Sequence, residues 1–369
     1  MRINIATSHR FHLLDLAREL SYLGHDVQFY SYVPTKRCMK FGLNGNQCHC
    51  LLPFLIPILV LQKMCPHNDF LQKCRCVMMD YYMSFFMRPC DIYIALGTVY
   101  EKSFLAARKR FKAKTILEWG SKHIDVQQQI LKSIGAHTNA LYWNERSKRG
   151  YANTDYIAIS SEHVKRSFIN KGFSPQRLLV NNYGVDLKMF YFEPTIPKQY
   201  DVIMVGGWSK RKGCDLIVGA MRKTNLKFLH VGSIVDMPFP ADENFKHIDS
   251  VDQTELVKYY NLAKIFLLPS REEGLAMVQA QAISCNLPLV ASKDSGAEDL
   301  KNIVAYPEYI IIINDYSVDA VIDAINEAQK KFLQLGTTLY GGNAIKELTW
   351  EAYGKRYNDN INTIKNCEE

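Results

Sequence analysis

The stretch Ser270-Arg-Glu-Glu-Gly-Leu-Ala-Met-Val-Gln-Ala-Gln-Ala-Ile-Ser-Cys-Asn-Leu-Pro-Leu-Val-Ala-Ser292 decides how this chain folds. Just upstream, Ile265-Phe-Leu-Leu-Pro269 has the branched, apolar composition of a parallel strand buried on both faces. Glu272, Glu273 and Gly274 then form a turn, residues 276–284 are rich in small helix formers, and Leu289-Val-Ala291 resumes a strand after Pro288. A helix that starts just past the carboxyl end of a parallel strand aims its N-terminal amides into the crevice where open α/β sheets bind ligands. Those amides have no partner inside the helix, and the helix dipole adds to their attraction for an anion, most naturally a phosphate. A carboxylate at the same place suits positive charge developing beside that phosphate. Taken alone, an ordinary strand–turn–helix with solvated glutamates is the alternative.

A second segment narrows the choice. Tyr200-Asp-Val-Ile-Met-Val-Gly-Gly-Trp-Ser-Lys-Arg-Lys-Gly-Cys-Asp-Leu-Ile217 reads as a strand, a loop and a helix start. Gly206 and Gly207, followed by Trp208, permit a tight turn, and Lys210, Arg211 and Lys212 set three cations beside the N-terminus of the next helix. Cations are unfavourable there unless an anion lies between them and the dipole. A diphosphate would be that anion. Phe228-Leu-His-Val-Gly-Ser233 is another strand running into a glycine turn, at Gly232 and Ser233.

The N-terminal half repeats this grammar. Strand Arg2-Ile-Asn-Ile-Ala6 is followed by a helical pattern in Leu13, Leu16, Ala17 and Leu20, then Gly24-His25-Asp26 and a second strand from Val27. Further on, Asp91-Ile-Tyr-Ile-Ala-Leu96 and Thr115-Ile-Leu-Glu-Trp-Gly-Ser-Lys-His123 read as strands, the second ending in a polar glycine turn.

Together these segments resemble the retaining glycosyltransferases of family 4, which have the two-domain GT-B fold. That family carries a Glu-Gly-Phe-Gly turn and a second Glu eight positions after the first. Glu273 and Gly274 match, Leu275 and Ala276 replace Phe and Gly, and Gln281 replaces the second Glu. Lys212-Gly213 matches the family's phosphate-binding loop, whose usual Arg is Gly207 here; Arg211 is the candidate substitute. His12, Leu16, Ala17, Leu20, Gly24 and His25 fit the family's first helix, with Thr7 and Ser8 where a glycine pair usually lies. The resemblance extends over nearly the whole chain except residues 35–90.

The resemblance implies two Rossmann-like α/β domains facing across a cleft. Residues 1–189 would bind the acceptor, 190–345 the nucleotide-diphosphate sugar, and a C-terminal helix in 346–369 would pack back on the first domain. It further implies Glu273, Lys212 and His123 as catalytic residues. Donor contacts would come from Gly207, Trp208, Arg211, Gly232, Ser233, Gly274, Leu275, Ala276, Met277, Val278 and Gln281. Ser8, His12 and Glu118 would stand on the acceptor side. No metal or cofactor is expected; the donor would be a UDP-sugar or GDP-sugar and the acceptor a glycan or lipid-linked molecule. A binding protein with weak or no transfer, and an epimerase or phosphorylase of the same fold, remain alternatives.

Bulk properties agree with a folded globular chain. Its 369 residues allow two ordinary domains, and 47% hydrophobic with 22% charged residues is no disordered composition. The chain opens on a strand with no export leader, so a cytoplasmic setting with reduced thiols is expected for its ten cysteines. Cys48-His-Cys50 and Cys74-Arg-Cys76 have the wrong spacing for most structural zinc sites, and buried or incidental thiols are expected instead. The net charge of +8 comes without a nucleic-acid module, so no nucleic-acid partner is expected. Leu51-Leu-Pro-Phe-Leu-Ile-Pro-Ile-Leu-Val-Leu61 is too short to span a bilayer, and its two prolines should disturb a regular helix. It is expected either to pack in the core or to rest on the inner membrane face as a peripheral contact.

Overall fold

The computed structural model describes every residue except 66, 67, 98, 137, 139, 140, 337 and 367–369. The first sheet contains β1 (Arg2–Thr7), β2 (Asp26–Ser31), β3 (Cys48–Cys50), β4 (Ile92–Leu96), β5 (Lys114–Trp119), β6 (Tyr156–Ile159) and β7 (Leu178–Val180). The second contains β8 (Tyr200–Val205), β9 (Phe228–Val231), β10 (Phe245–Ile248), β11 (Ala263–Leu268), β12 (Leu289–Ser292) and β13 (Ile310–Ile313). Every pairing is parallel, in the orders 3-2-1-4-5-6-7 and 10-9-8-11-12-13. Parallel strands need crossovers, and helices supply them on both faces of each sheet.

Burial follows from composition. The strand interiors are Val, Ile, Leu and Phe, and Ile265, Phe266, Leu267 and Leu268 are fully buried, as are Ile3 and Ile5 in the other sheet. Each such side chain contributes about 1.5–3 kcal/mol relative to exposure. The order of each sheet reverses once, between β1 and β4 in the first and between β8 and β11 in the second. Such a reversal opens a crevice at the carboxyl ends of the two strands, because their following helices go to opposite faces. The loops after β8 and β11 are the two segments singled out in the sequence.

Helix Trp350–Asn366 returns to the first sheet and packs on helix Phe11–Tyr22. Gly354 permits the close approach: a Cβ there would lie 2.3 Å from Glu19 Cβ. Asn181 Nδ2 donates to the Tyr353 carbonyl (3.0 Å) and Tyr357 donates its hydroxyl to Glu118 (2.6 Å).

Residues 35–90 form helices Thr35–Lys40, Leu52–Met64 and Asp69–Phe86 around the short β3. The apolar run at 51–61 is a helix in spite of its prolines. Pro53 falls in the first turn, where an N–H has no partner to lose, so only Pro57 interrupts the ladder. Leu55 packs inward while Phe54, Ile56, Val60 and Leu61 are at least half exposed. Among the described residues, no helix is long and apolar enough to cross a membrane.

Candidate active site

The crevices of the two sheets face each other across an open cavity of ≈ 970 Å³. Its second-domain wall is built by the loop after β8 (Gly207, Lys212) and the turn and helix start after β11 (Glu273, Leu275, Ala276, Met277, Val278, Gln281). The first-domain wall includes His12, Glu118, Gly120 and Ser121.

Lys212 Nζ is paired with the Glu273 carboxylate, and Arg211 Nη1 lies 3.4 Å from the same oxygen. Burial alone would raise the Glu273 carboxyl. The Lys212 and Arg211 cations and the Lys212 hydrogen bond outweigh that and hold its pKa below the ordinary value. Glu273 is thus an anion whose charge is matched within the site. Helix Met277–Ser284 begins at Ala276 with no side-chain cap, so its first amides face the cavity wall without a side-chain acceptor. Gln281 is held by the Tyr260 hydroxyl, which donates to its Oε1 at 2.9 Å.

On the opposite wall His12 Nε2 donates to Glu118 Oε2 at 3.0 Å, and the His12 ring packs at a tilt against Tyr183 with ring centroids 4.4 Å apart. Glu118 is buried and also accepts from Tyr357, so the C-terminal helix orients this wall.

The two walls are clasped together. Fully buried Glu272 accepts from the Lys122 amide (3.3 Å) and Gln127 Nε2 (3.1 Å) of the first domain, and Arg211 Nη1 of the second lies 3.3 Å from it. His163 Nε2 donates to the Glu273 carbonyl (2.8 Å) and Ser161 Oγ to the Gly274 carbonyl (3.1 Å). Lys122 Nζ pairs with Asp294. Gly274 is indispensable to this contact, because a Cβ there would sit 1.6 Å from the Gly120 carbonyl oxygen.

Several residues expected at the site from sequence lie elsewhere. His123 does not line the cavity. It caps helix Ile124–Ser133, accepting from the Asp125 amide (3.3 Å), and packs among Tyr151, Phe168 and Phe173. Burial pushes its pKa down to about 4. Trp208 is fully buried against Phe228, His230 and Phe239, its indole spent on the Pro238 carbonyl. Gly232 and Ser233 lie outside the cavity, and Gly274 serves the domain contact. Arg211 supports Glu272 and Glu273 from behind, outside the lining. Ser8 lines a separate, smaller cavity. The sequence carries no local sign of the roles of Lys122 and Gln127, nor of Glu272 beyond its place in the turn. The Trp-Gly-Ser-Lys-His segment drew notice, but its lysine, one residue before the histidine, is the one that reaches across.

Residues 199–331 match the family model described as Glycosyl transferases group 1. An uncharacterized glycosyltransferase of Methanocaldococcus jannaschii is 23% identical over 161 residues, a stretch covering 42% of this chain and 44% of that protein. The chain thus matches less than half the length of that curated relative. Sucrose-phosphate synthase from Thermosynechococcus elongatus superposes with a TM-score of 0.69 over 100% of both chains at 15% identity. Anabaena HepE in complex with UDP and glucose gives 0.66 over 98% of this chain and 99% of that one, at 11% identity. HepE in complex with UDP-glucose gives 0.65 over 98% and 100%, at 12% identity. The chain has the GT-B fold, and the match over its second sheet supports a glycosyltransferase.

Proposed function

We propose that this chain transfers a sugar from a nucleotide-diphosphate donor, a UDP-sugar or GDP-sugar, to a glycan or lipid-linked acceptor, with retention of anomeric configuration. The observation that carries this reading is the Lys212–Glu273 pair at the start of helix Met277–Ser284, within the segment that matches Glycosyl transferases group 1. The UDP and UDP-glucose complexes of the HepE structures add support for the donor class. On donor binding the diphosphate takes Lys212 as its counter-ion, and the uncapped amides of residues 277–278 receive phosphate or sugar oxygens. Lys212 then stabilises the charge that accumulates on the leaving diphosphate. Glu273, released from Lys212 and still facing Arg211, orients the sugar hydroxyls and stabilises the oxocarbenium-like transition state. Gln281 meets the ribose. His12, fixed by Glu118, faces the acceptor hydroxyl from the other wall. Helix Leu52–Met64 rests on the membrane as a peripheral contact.

The test is proton NMR of UDP-glucose during slow turnover with water. Retention predicts that α-glucose appears first, before mutarotation, and that Lys212→Ala slows its release by about a hundredfold or more. First appearance of β-glucose would overturn retention. Donor binding without any turnover would favour the binding-protein alternative.

A further inference from the structure

We propose that the acceptor is an anionic phospholipid carrying a head-group hydroxyl, and that a second cavity of this chain seats its phosphate; the inference rests on the transferase reading above. That cavity, of ≈ 490 Å³, lies between the loop after β1 and helices Thr35–Lys40, Leu52–Met64 and Asp69–Phe86. Three arginines, Arg10, Arg37 and Arg75, line it, and among the described residues no carboxylate does. Arg10 is committed, with Nη1 donating to Gln253 of the second domain and Nη2 3.6 Å from Asp15. Arg37 makes no side-chain hydrogen bond or ion pair among the described residues. Among the described residues the Arg75 guanidinium donates to His9 Nε2, at 2.8 Å, a partner whose pKa is lowered by burial and by the Arg75 charge. Asp252 lies within electrostatic reach of Arg37 and Arg10, but neither Arg37 nor Arg75 has a carboxylate in direct contact among the described residues. Guanidinium groups so placed around a concave site match a phosphate in charge and in donor geometry.

The rest of the wall is apolar. Leu55 and Leu59 of helix Leu52–Met64 floor the cavity, and the same helix continues outward as an exposed surface of Phe54, Ile56, Val60 and Leu61. Phe85 and Phe86 of the next helix are exposed as well. Residues 35–90 hold seven Lys or Arg against two Asp, one of which, Asp80, is buried beside Arg146. An exposed apolar face on a segment with this cationic excess complements a bilayer with anionic head groups. A free phosphate would use the arginines and leave the apolar face without purpose; a lipid phosphate uses both.

The cavity neighbours the main one, and Arg10 and Phe11 line both. Phe11 has φ +36, a strained conformation for an aromatic residue, and its ring is half exposed between the two spaces beside His9. Strain kept at an exposed position points to a functional constraint. A phospholipid held with its phosphate among the arginines presents its head-group hydroxyl past Phe11 to the sugar. There the bond between the sugar's anomeric carbon and the diphosphate breaks. A new one forms to the hydroxyl oxygen, and the hydroxyl proton leaves with the nucleoside diphosphate.

Calorimetry separates the sources of the phosphate. Full-length protein is titrated with dihexanoyl phosphatidylglycerol below its micelle concentration, with glycerol 3-phosphate and with dihexanoylglycerol. The expected result is phosphatidylglycerol binding at least tenfold tighter than either fragment. Arg37→Ala/Arg75→Ala weakens it tenfold or more, and Arg37→Lys/Arg75→Lys, which keeps the charge but not the planar donor fork, recovers part of the loss. Equal binding of glycerol 3-phosphate would assign the cavity to a free phosphate, and equal binding of dihexanoylglycerol to an apolar chain alone; either overturns the proposal. So would an alanine variant that binds like wild type, or a lysine variant that loses as much as the alanine one. A parallel titration of wild-type protein with UDP-glucose keeps the two readings apart. Failure of UDP-glucose, and of GDP-glucose titrated beside it, would strike the transferase reading, whereas failure of the lipid alone removes only this one.

Discussion

Glu272 and Glu273 are adjacent in sequence and differ in everything else. Glu273 faces the cavity and Lys212; Glu272 is turned away, fully buried, and tied to the first domain by Lys122 and Gln127. Glu273 and Lys212 were legible because each stands in a local pattern of strand, glycine turn and helix. Glu272 was not, since its partners lie some distance away along the chain and only domain closure buries it. His123 was misread for the opposite reason. A histidine in a polar turn after a strand looks like a ligand, yet the helical pattern starting at Ile124 marks position 123 as a cap. Glu272→Ala should leave Arg211, Gln127 and the Lys122 amide short of an acceptor and lower unfolding free energy by about 1–3 kcal/mol. Urea denaturation measures this, and an unchanged midpoint would refute the clasp. Gly274→Ala should go further and hold the domains apart, because its Cβ would occupy the space of the Gly120 carbonyl. The expected readouts are a larger radius of gyration by X-ray scattering and donor turnover reduced by about a hundredfold.

At the level of elements, helix Met277–Ser284 contributes its N-terminus and one side chain, Gln281, to the cavity. With its carbonyl occupied by Tyr260, Gln281 offers its amide N–H to a ligand, where a carboxylate would offer only acceptors. Gln281→Ala should weaken donor binding about two- to tenfold, the worth of one neutral hydrogen bond, with a smaller effect on turnover of bound donor. Helix Ile124–Ser133 carries the acid sensitivity of its cap. His123 ordinarily titrates at 6.5, and burial pushes it to about 4. Between those values the unfolded chain takes up a proton that the folded chain refuses. Stability is therefore full above pH 6.5 and falls as the pH drops through that window. His230, fully buried and also pushed by burial to about 4, acts in the same direction. His123→Asn keeps a capping side chain without the titration and should remove about 2 kcal/mol of the stability lost between pH 7 and pH 5. An identical pH dependence in the variant would contradict this assignment. The helix at 52–64 shows where pattern reading failed: two prolines in an apolar run argued against a helix, but the position of Pro53 in its first turn makes it harmless.

For the molecule as a whole, the fold was readable wherever strand and helix alternate, because buried parallel strands are written as continuous apolar runs. What stayed hidden was the joint between the halves. Hydrogen bonds from Lys122, Ser161, His163 and Gln127 to the turn at 272–274, and from Arg10 to Gln253, are set by tertiary geometry and leave no periodic trace. These contacts hold the cleft closed over a cavity whose central charges, Lys212 and Glu273, satisfy each other. On the proposed reading a nucleotide sugar replaces that pairing, and His12 faces it from the opposite wall. The most direct test is calorimetric titration of UDP-glucose and GDP-glucose into wild-type protein and Lys212→Ala. The account predicts micromolar binding of one of them by wild type and at least tenfold weaker binding by the variant. Absence of binding by either donor, or equal affinity in the variant, would contradict it.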